Sequence, residues 1–156
     1  MESMVYMKKK DSDYEEIGIA RDNIELWEDG LRTDYNTSEY EWWYFDCELE
    51  DGSKMAITYF TKPYTNSPKA LEPFIRFNYS KADGTEVART LNFKAEEFSA
   101  AKEKCDVKIG KNTFIGDLKD YTIHVEFEDY SFDISLKNDF KAWRPETGHF
   151  NFGTDY

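Results

Sequence analysis

Alternation of apolar and polar residues along short segments is the feature that most constrains how this chain can fold. In the segment 41–50, EWWYFDCELE, every second side chain from Trp43 onward is apolar, and the turn-forming pair Asp51-Gly52 follows directly. Successive side chains of a strand point to opposite faces, so alternation with period two indicates half-buried antiparallel strands. Comparable alternation recurs over 54–61, 74–80, 86–93, 107–109, 113–118, 121–127 and 132–136.

Gly, Asp and Asn residues between these segments supply the short turns of an antiparallel meander. Together with a short strand expected near residues 24–26, the pattern predicts about nine strands. Residues 94–104, KAEEFSAAKEK, have a helix-forming composition and are predicted as the one short helix. Because a meander can protect its edges by curling round, we expect an all-β fold in the form of a barrel or a strongly bent sheet.

The domain organisation is expected to be simple, because 156 residues fit one domain and no break in composition divides the chain. We expect a flexible N-terminal segment over residues 1–20 and a single β domain over residues 21–156. Residues 62–73, KPYTNSPKALEP, contain three of the four prolines, and proline cannot donate to a strand ladder. This segment is therefore predicted to be a loop, long enough to act as a lid.

The charge of the chain excludes some classes of partner. It carries 32 acidic and 20 basic side chains, for a formal net charge of −12. This charge repels phosphate backbones, which argues against nucleic acid as a partner. No apolar run approaches the length of a membrane span, and no apolar signal-peptide core follows the N-terminus. We therefore expect an acidic cytoplasmic protein with no membrane span.

Motifs for cofactors and nucleophilic catalysis are missing from the sequence. It contains no GxSxG, HExxH, P-loop or GxGxxG pattern, so no cofactor is expected. Cys47 and Cys105 lie far apart and are expected to be free thiols. Metal catalysis needs three or more converging ligands, which the separated His124 and His149 do not supply. No metal site is expected.

The run WWYF at residues 42–45 raises the question of what covers both faces of one strand. Trp42 and Tyr44 point away from the face that their alternating neighbours share. Burial of one large aromatic side chain contributes up to about 3 kcal/mol, so both faces need cover. Either one face packs in the core and the other beneath the N-terminal segment around Trp27, or one face lines a ligand cavity or docks another domain.

Polar side chains offer few arrangements for acid/base catalysis. The carboxylates between residues 39 and 48 alternate over both faces of their strand, so they do not converge and are expected to be solvated. Arg76 and Asn78 share one face of a later strand, where they either orient a polar group of a ligand or form ordinary surface. His149, in the aromatic tail RPETGHFNFG, is a better candidate for a site than His124.

Three blocks of sequence, in order, resemble a known family. They are EYEWWYFDCELEDGSKMAITYF at 39–60, CDVKIGKNTFIGDLKDYTIHVE at 105–126 and WRPETG at 143–148. Over about residues 24–153 the chain resembles the carotenoid 1,2-hydratase (hydroxyneurosporene synthase) and AttH-like family. Members of this family have a lipocalin-like fold and continue through a second lipocalin-like half. The resemblance implies that this chain is an antiparallel lipocalin-like β-barrel corresponding to the N-terminal half.

The resemblance also assigns residues to the family pattern. It implies a second lipocalin-like half or a partner chain as a partner, and it leaves the catalytic residues unknown, because the family's polar residues for hydration lie mainly in the second half. The family positions carried over are Glu41, Trp42, Trp43 and Tyr44 in the signature strand, Gly110 and Asn112 in a turn, and Pro145 and Gly148 near the join. The candidate ligand-binding residues are Glu41, Trp42, Trp43, Tyr44, Arg76, Asn78 and His149.

Three functions remain open at this point. The chain is part of a cofactor-free hydro-lyase acting on an apolar, isoprenoid-like or polyketide-like molecule, a non-catalytic module that binds an apolar small molecule, or a protein-interaction domain. In the first case a buried carboxylic acid would protonate an alkene, water would capture the cation, and aromatic faces would stabilise its charge.

Overall fold

The computed structural model describes residues 5–37, 39–64 and 70–152. Within these residues the chain forms one α-helix, eleven strands and two short 3-10 helices. The regular elements are β1 Val5–Met7, α1 Asp11–Ile17, β2 Trp42–Glu48, β3 Lys54–Phe60, β4 Phe74–Ser80, β5 Glu86–Asn92, β6 Phe98–Ala100, β7 Asp106–Ile109, β8 Asn112–Gly116, β9 Asp120–Glu126, β10 Ser131–Lys137 and β11 Phe150–Phe152. The 3-10 helices cover Leu26–Asp29 and Ala95–Glu97.

Two antiparallel meanders dominate the structure, which confirms the prediction of a mostly antiparallel β fold. The first sheet has the order β2-β3-β4-β5 and the second the order β10-β9-β8-β7-β6. Tight turns join β2 to β3 and β4 to β5, where Gly52 and Gly84 adopt the positive φ values of 82° and 85° that the two predicted turns require. A small third sheet pairs β1 with β11.

The core lies between the two large sheets. Its fully buried side chains include Ile57, Tyr59 and Phe77 from the four-stranded sheet and Ile109 and Val125 from the five-stranded sheet. In the part of the chain that the structure describes, no strand of one large sheet is paired with a strand of the other. A closed barrel is thus not observed there, and the lipocalin-like barrel stays a prediction.

The structure corrects two of the predicted elements. Residues 94–104 form only one turn of 3-10 helix, because Phe98 and Ala100 pair with Ile109 and Val107 as a strand and pack against the core. Core packing outweighs the helical propensity of this segment. The strand expected near residues 24–26 is replaced by the 3-10 helix Leu26–Asp29.

Local hydrogen bonds explain the second correction. The backbone N–H of Glu25 donates to the Glu28 carboxylate at 2.9 Å, and the N–H of Gly30 donates to the Trp27 carbonyl at 3.1 Å. These bonds satisfy the ends of one helical turn.

The N-terminal segment that was expected to be flexible contains β1 and α1. The Asp13 carboxylate accepts the backbone N–H groups of Lys9 and Lys10 at 2.9 and 2.8 Å, which holds the start of the helix. Tyr14 is buried, and Gly18 ends the helix with a φ of 76°. Pairing of β1 with β11 brings this segment beside residues 147–152.

The two turn residues of the second family block have different roles. Gly110 has a φ of 60°, as a turn residue should. Asn112 instead begins β8 with its side chain fully buried. Its amide donates to the Ile109 carbonyl at 3.0 Å, and its side-chain oxygen accepts the N–H of Glu126 at 2.8 Å. Asn112 therefore joins the β7–β8 hairpin to the end of β9.

Candidate functional site

The two faces of the four-stranded sheet have different environments. Trp43 faces the core and is 5% exposed, whereas its neighbour Trp42 is 50% exposed on the outer face. Tyr44, also on the outer face, is 53% exposed. Trp27, which was one candidate to cover these rings, instead lies under the Arg32 guanidinium at 3.9 Å. The outer face of β2 is therefore an exposed aromatic surface.

Strand register extends this aromatic surface across three strands. Trp42 is opposite Phe60, and Phe60 is opposite Phe74. The Phe60 and Phe74 rings stack with centroids 4.3 Å apart and an interplanar angle of 8°. Phe60 is thus the cross-strand neighbour of both Trp42 and Phe74, and the three side chains form one row across the sheet.

Two tyrosines outside the strands enlarge the row. The Tyr40 ring stacks on Trp42 with centroids 5.6 Å apart, and Tyr64 lies 6.3 Å from Tyr40. Tyr64 itself is 71% exposed. The result is a wall of rings at one end of the sheet that faces outward from the core.

A second row supplies the polar groups. Tyr44 is opposite Thr58, which is opposite Arg76. The Arg76 guanidinium lies 5.7 Å from the Phe60 ring and 5.8 Å from the Phe74 ring, within cation–π range. Within the described residues it has no ion-pair partner, so its N–H groups are available to a ligand. Partial burial and the Asp46 carboxylate raise the pKa of the Tyr44 phenol.

We call this surface the aromatic groove. It is an open concavity of about 590 Å³, a volume within the range of roughly 300–1,000 Å³ typical of small-molecule sites. Its described lining is Tyr40, Trp42, Tyr44, Thr58, Phe60, Pro63, Tyr64, Phe74 and Arg76. The arrangement offers flat apolar surfaces for stacking and one cation at the edge.

Hydrogen bonds between segments hold the ends of the groove. The Thr61 hydroxyl accepts the N–H of Glu41 at 2.9 Å, and the Thr61 N–H donates to the Glu41 carbonyl at 3.0 Å. The buried Lys62 amine donates to the carbonyl oxygens of Tyr35 and Thr37. These bonds fix the segments that carry Tyr40 and Tyr64 on either side of the groove.

The structure brings only some of the predicted site residues together. Trp42, Tyr44 and Arg76 line the groove. Asn78 lies one row further along the sheet, opposite Ala56, and borders the neighbouring polar surface. Trp43 is in the core, where its indole N–H donates to the Asp29 carbonyl at 3.2 Å.

Glu41 does not line the groove, and its carboxylate binds residues 32 and 33 instead. Its carboxylate accepts the backbone N–H groups of Arg32 and Thr33 at 3.0 and 3.1 Å and the Thr33 hydroxyl at 2.9 Å. Burial raises the pKa of this carboxyl, and the donated hydrogen bonds offset part of that effect. The observed contacts of Glu41 hold the segment before β2 against the sheet.

His149 lies in a separate concavity of about 440 Å³ beside residues 138–149. Burial and the positive charges of Arg32, Lys8 and Arg144 lower the pKa of its imidazole. His124 is distant from both concavities, on the outer face of β9 beside Asp133.

The sequence does not single out Phe60 and Phe74, although it contains a signal for Phe60. The Asp51-Gly52 turn sets the β2–β3 register, which places Phe60 opposite Trp42. The prediction of a lid over residues 62–73 falls in part on residues 65–69, which lie outside the described residues.

Other kinds of site are not seen in the described ranges. No group of three or more His, Cys, Asp or Glu side chains that could hold a metal ion occurs there. Among the same residues, no helix is both long enough and apolar enough to cross a membrane. Cys47 and Cys105 are free thiols in the structure.

Comparison of the chain with protein-family models, with curated proteins and with solved structures gave no significant match. The resemblance to the carotenoid hydratase family therefore stays a prediction.

Proposed function

We propose that this protein binds an apolar, isoprenoid-like small molecule in the aromatic groove. The observation that carries the proposal is the row of Trp42, Phe60 and Phe74 on the outer face of the four-stranded sheet, in which Trp42 is 50% and Phe74 is 7% exposed. Large contiguous apolar patches are uncommon on soluble monomers, and those that occur mark binding surfaces.

The chemistry of the lining favours a flat or conjugated molecule with one polar end. Stacked rings contribute about 0.5–1.5 kcal/mol for each aromatic pair beyond the area they bury. Arg76, beside Phe60 and Phe74, can donate hydrogen bonds to an oxygen at one end of such a ligand.

The groove supports binding rather than proton transfer. Its described lining contains no Asp or Glu, so this surface offers no carboxylic acid to protonate an alkene. If the chain is one half of a hydratase of the hydroxyneurosporene synthase or AttH-like type, the acid would come from the second half. The lipocalin-like assignment belongs to this proposal, supported by the three sequence blocks and by the two antiparallel meanders.

Binding can be tested with β-ionone, a small isoprenoid ketone. Intrinsic tryptophan fluorescence and isothermal titration calorimetry should show saturable binding to the unaltered chain. Trp42→Ala should weaken this binding at least tenfold. Trp143→Ala is a matched control, because it removes another strongly exposed tryptophan, 80% exposed, that does not line the groove.

The competing interpretation is that the same face docks a second lipocalin-like half or a partner chain. Sedimentation at several protein concentrations separates the two. Saturable β-ionone binding to a monomer that Trp42→Ala abolishes supports the ligand site. Concentration-dependent dimerisation that Trp42→Ala abolishes, with no β-ionone binding, would replace the ligand site with a docking surface.

A further inference from the structure

The concavity that contains His149, here called the end cleft, lies between two segments of the chain. Residues 19–32 form one side, and residues 138–149 form the other. The Lys141 amine joins the segments by donating to the Asp22 carbonyl at 2.6 Å, and the Arg144 guanidinium donates to the Ala20 carbonyl. The end cleft does not include the residues of the aromatic groove.

The carboxylates of the end cleft already have donors. Glu28 accepts the N–H of Glu25 at 2.9 Å and lies 3.4 Å from the Arg144 Nε, with only 6% of its side chain exposed. Asp29 accepts the Tyr121 hydroxyl at 2.6 Å. Burial raises the pKa of the Asp29 carboxyl, which makes it a weaker competitor for cations.

Two arginines in the end cleft carry donors that make no hydrogen bond among the described residues. The Arg32 guanidinium stacks on Trp27 and has no hydrogen-bond or ion-pair partner among the described residues, although the Glu28 and Glu41 carboxylates lie near enough to favour its charge. The Nε of Arg144 is buried without a hydrogen bond, although it lies 3.4 Å from the Glu28 carboxylate. Unpaired donors in a partly dry cleft favour a ligand rich in acceptors.

The lowered pKa of the His149 imidazole is a second sign that cationic groups surround the end cleft. Beyond burial, the positive charges of Arg32, Lys8 and Arg144 disfavour protonation of its imidazole. At His149 the effect of these cations therefore outweighs that of the carboxylates of the end cleft, in a protein whose net charge is −12.

Part of the remaining lining is apolar, beside the polar side chains of Asn138 and Thr147. Ile19, Ile24, Ala142 and Trp143 lie along the end cleft, and its volume of about 440 Å³ is enough for a ligand of moderate size. A purely inorganic anion would leave this apolar surface uncovered. A ligand with both a charged acceptor group and a hydrocarbon body would use both parts.

We propose that the end cleft binds a small organic carboxylate with an aliphatic or aromatic body. The carboxylate lies between Arg32 and Arg144, and the hydrocarbon body lies against Trp143 and Ile24. The planar guanidinium of Arg32 can bind a carboxylate through two parallel hydrogen bonds. Its stacking on Trp27 limits the orientations that the guanidinium can adopt. This proposal does not depend on the function proposed for the aromatic groove.

The test uses hexanoate, with 1-hexanol and inorganic sulfate as comparison ligands. NMR of the unaltered chain follows the indole N–H signals of Trp27, Trp42 and Trp143. Hexanoate should shift the Trp27 and Trp143 signals saturably and leave Trp42 unchanged. Hexanol and sulfate should each bind at least tenfold more weakly, because one lacks the charge and the other lacks the apolar body.

Variants locate the charge that is needed. Arg32→Gln should weaken hexanoate binding at least tenfold, and Arg32→Lys should weaken it less. Arg89→Gln is the matched control, because it removes the same charge from an exposed residue of β5 that pairs with Asp129 and does not line the end cleft. It should leave hexanoate binding unchanged.

Several results would overturn the proposal. They are equal affinity for hexanoate and hexanol, equal affinity for hexanoate and sulfate, shifts confined to Trp42, no binding, or an Arg32→Gln variant that binds as well as the unaltered chain. If Arg32→Gln does not fold, the comparison of the three ligands on the unaltered chain still decides the matter.

Discussion

The outward faces of the two large sheets differ in chemistry although both belong to antiparallel meanders. The five-stranded sheet presents a polar face, on which Thr113, His124 and Asp133 form one cross-strand row. The four-stranded sheet presents Trp42, Phe60 and Phe74 in the corresponding kind of row. Contact with water is sufficient to explain the first face. It does not explain the second, and this difference is why we propose a ligand for the aromatic face.

The largest expected effect separates the core from the aromatic groove within a single strand. Trp43→Ala should lower the free energy of unfolding by about 3–5 kcal/mol, because it empties a buried site. Trp42→Ala should lower it by no more than about 1 kcal/mol, because half of that side chain is already exposed. Urea unfolding of both variants measures the difference, and equal losses would mean that the outer face is structural.

The next effect comes from giving the aromatic face the composition of the polar face. The double variant Trp42→Thr/Phe60→Thr should lose β-ionone binding by more than tenfold, because it removes two of the three rings in the row. Threonine suits strands, so the fold should persist. Calorimetric titration gives the binding constant, and circular dichroism checks the fold.

A control on the opposite face completes this comparison. Thr113→Ser/His124→Ser alters two residues of the polar row and should leave β-ionone binding unchanged. Loss of binding in this control would show that the two faces are not independent.

A smaller effect is expected from the cation beside the rings. Arg76→Gln should weaken β-ionone binding by about three- to fivefold, the range expected when one hydrogen bond of about 1 kcal/mol is lost. Arg89→Gln, a charge loss outside the groove, should not change it. If Arg76→Gln has no effect, the ketone of β-ionone does not lie beside this guanidinium.

The smallest expected effect is the pH response of the polar face. Asp133 at 2.7 Å, with help from Glu126, raises the pKa of His124 above its usual value of 6.5. Because the folded-state pKa is the higher one, this stabilisation is present below about pH 6.5 and is lost as the pH rises through the folded-state pKa.

NMR titration of the His124 imidazole gives this pKa directly. Asp133→Asn should lower the pKa toward 6.5. The Glu126 carboxylate lies 3.3 Å from the Nε2 of His124, so part of the shift should remain. A pKa at or below 6.5 in the unaltered chain would contradict the observed geometry.

The sequence predicted most of the strands but not the arrangement of the sheets. Alternation and Gly turns locate β2 to β5 and β7 to β10, because the face to which each side chain points depends only on its position within its own strand. Residues 94–104 misled the prediction, since helix-forming composition is a weak preference beside the pairing of Phe98 with Ile109. Barrel closure could not be predicted, because it depends on strand tilt and stagger across the whole sheet.

The candidate site was only partly predictable for a related reason. Trp42 and Tyr44 stand out within one strand, but the groove is a product of register among three strands. Glu41 and Trp43 share the signature run with Trp42, yet the first binds backbone N–H groups and the second packs in the core. Neighbours in sequence alternate between faces, so a motif of four residues includes side chains with different roles.

The most direct test of the central claim is a backbone and indole NMR titration of the unaltered chain with β-ionone. The indole N–H of Trp42 and the amides of residues 56–60 and 74–78 should shift saturably with a single binding constant. The amides of β9 and β10 should not move. Shifts that are confined to the five-stranded sheet, or the absence of any saturable shift, would contradict a ligand site in the aromatic groove.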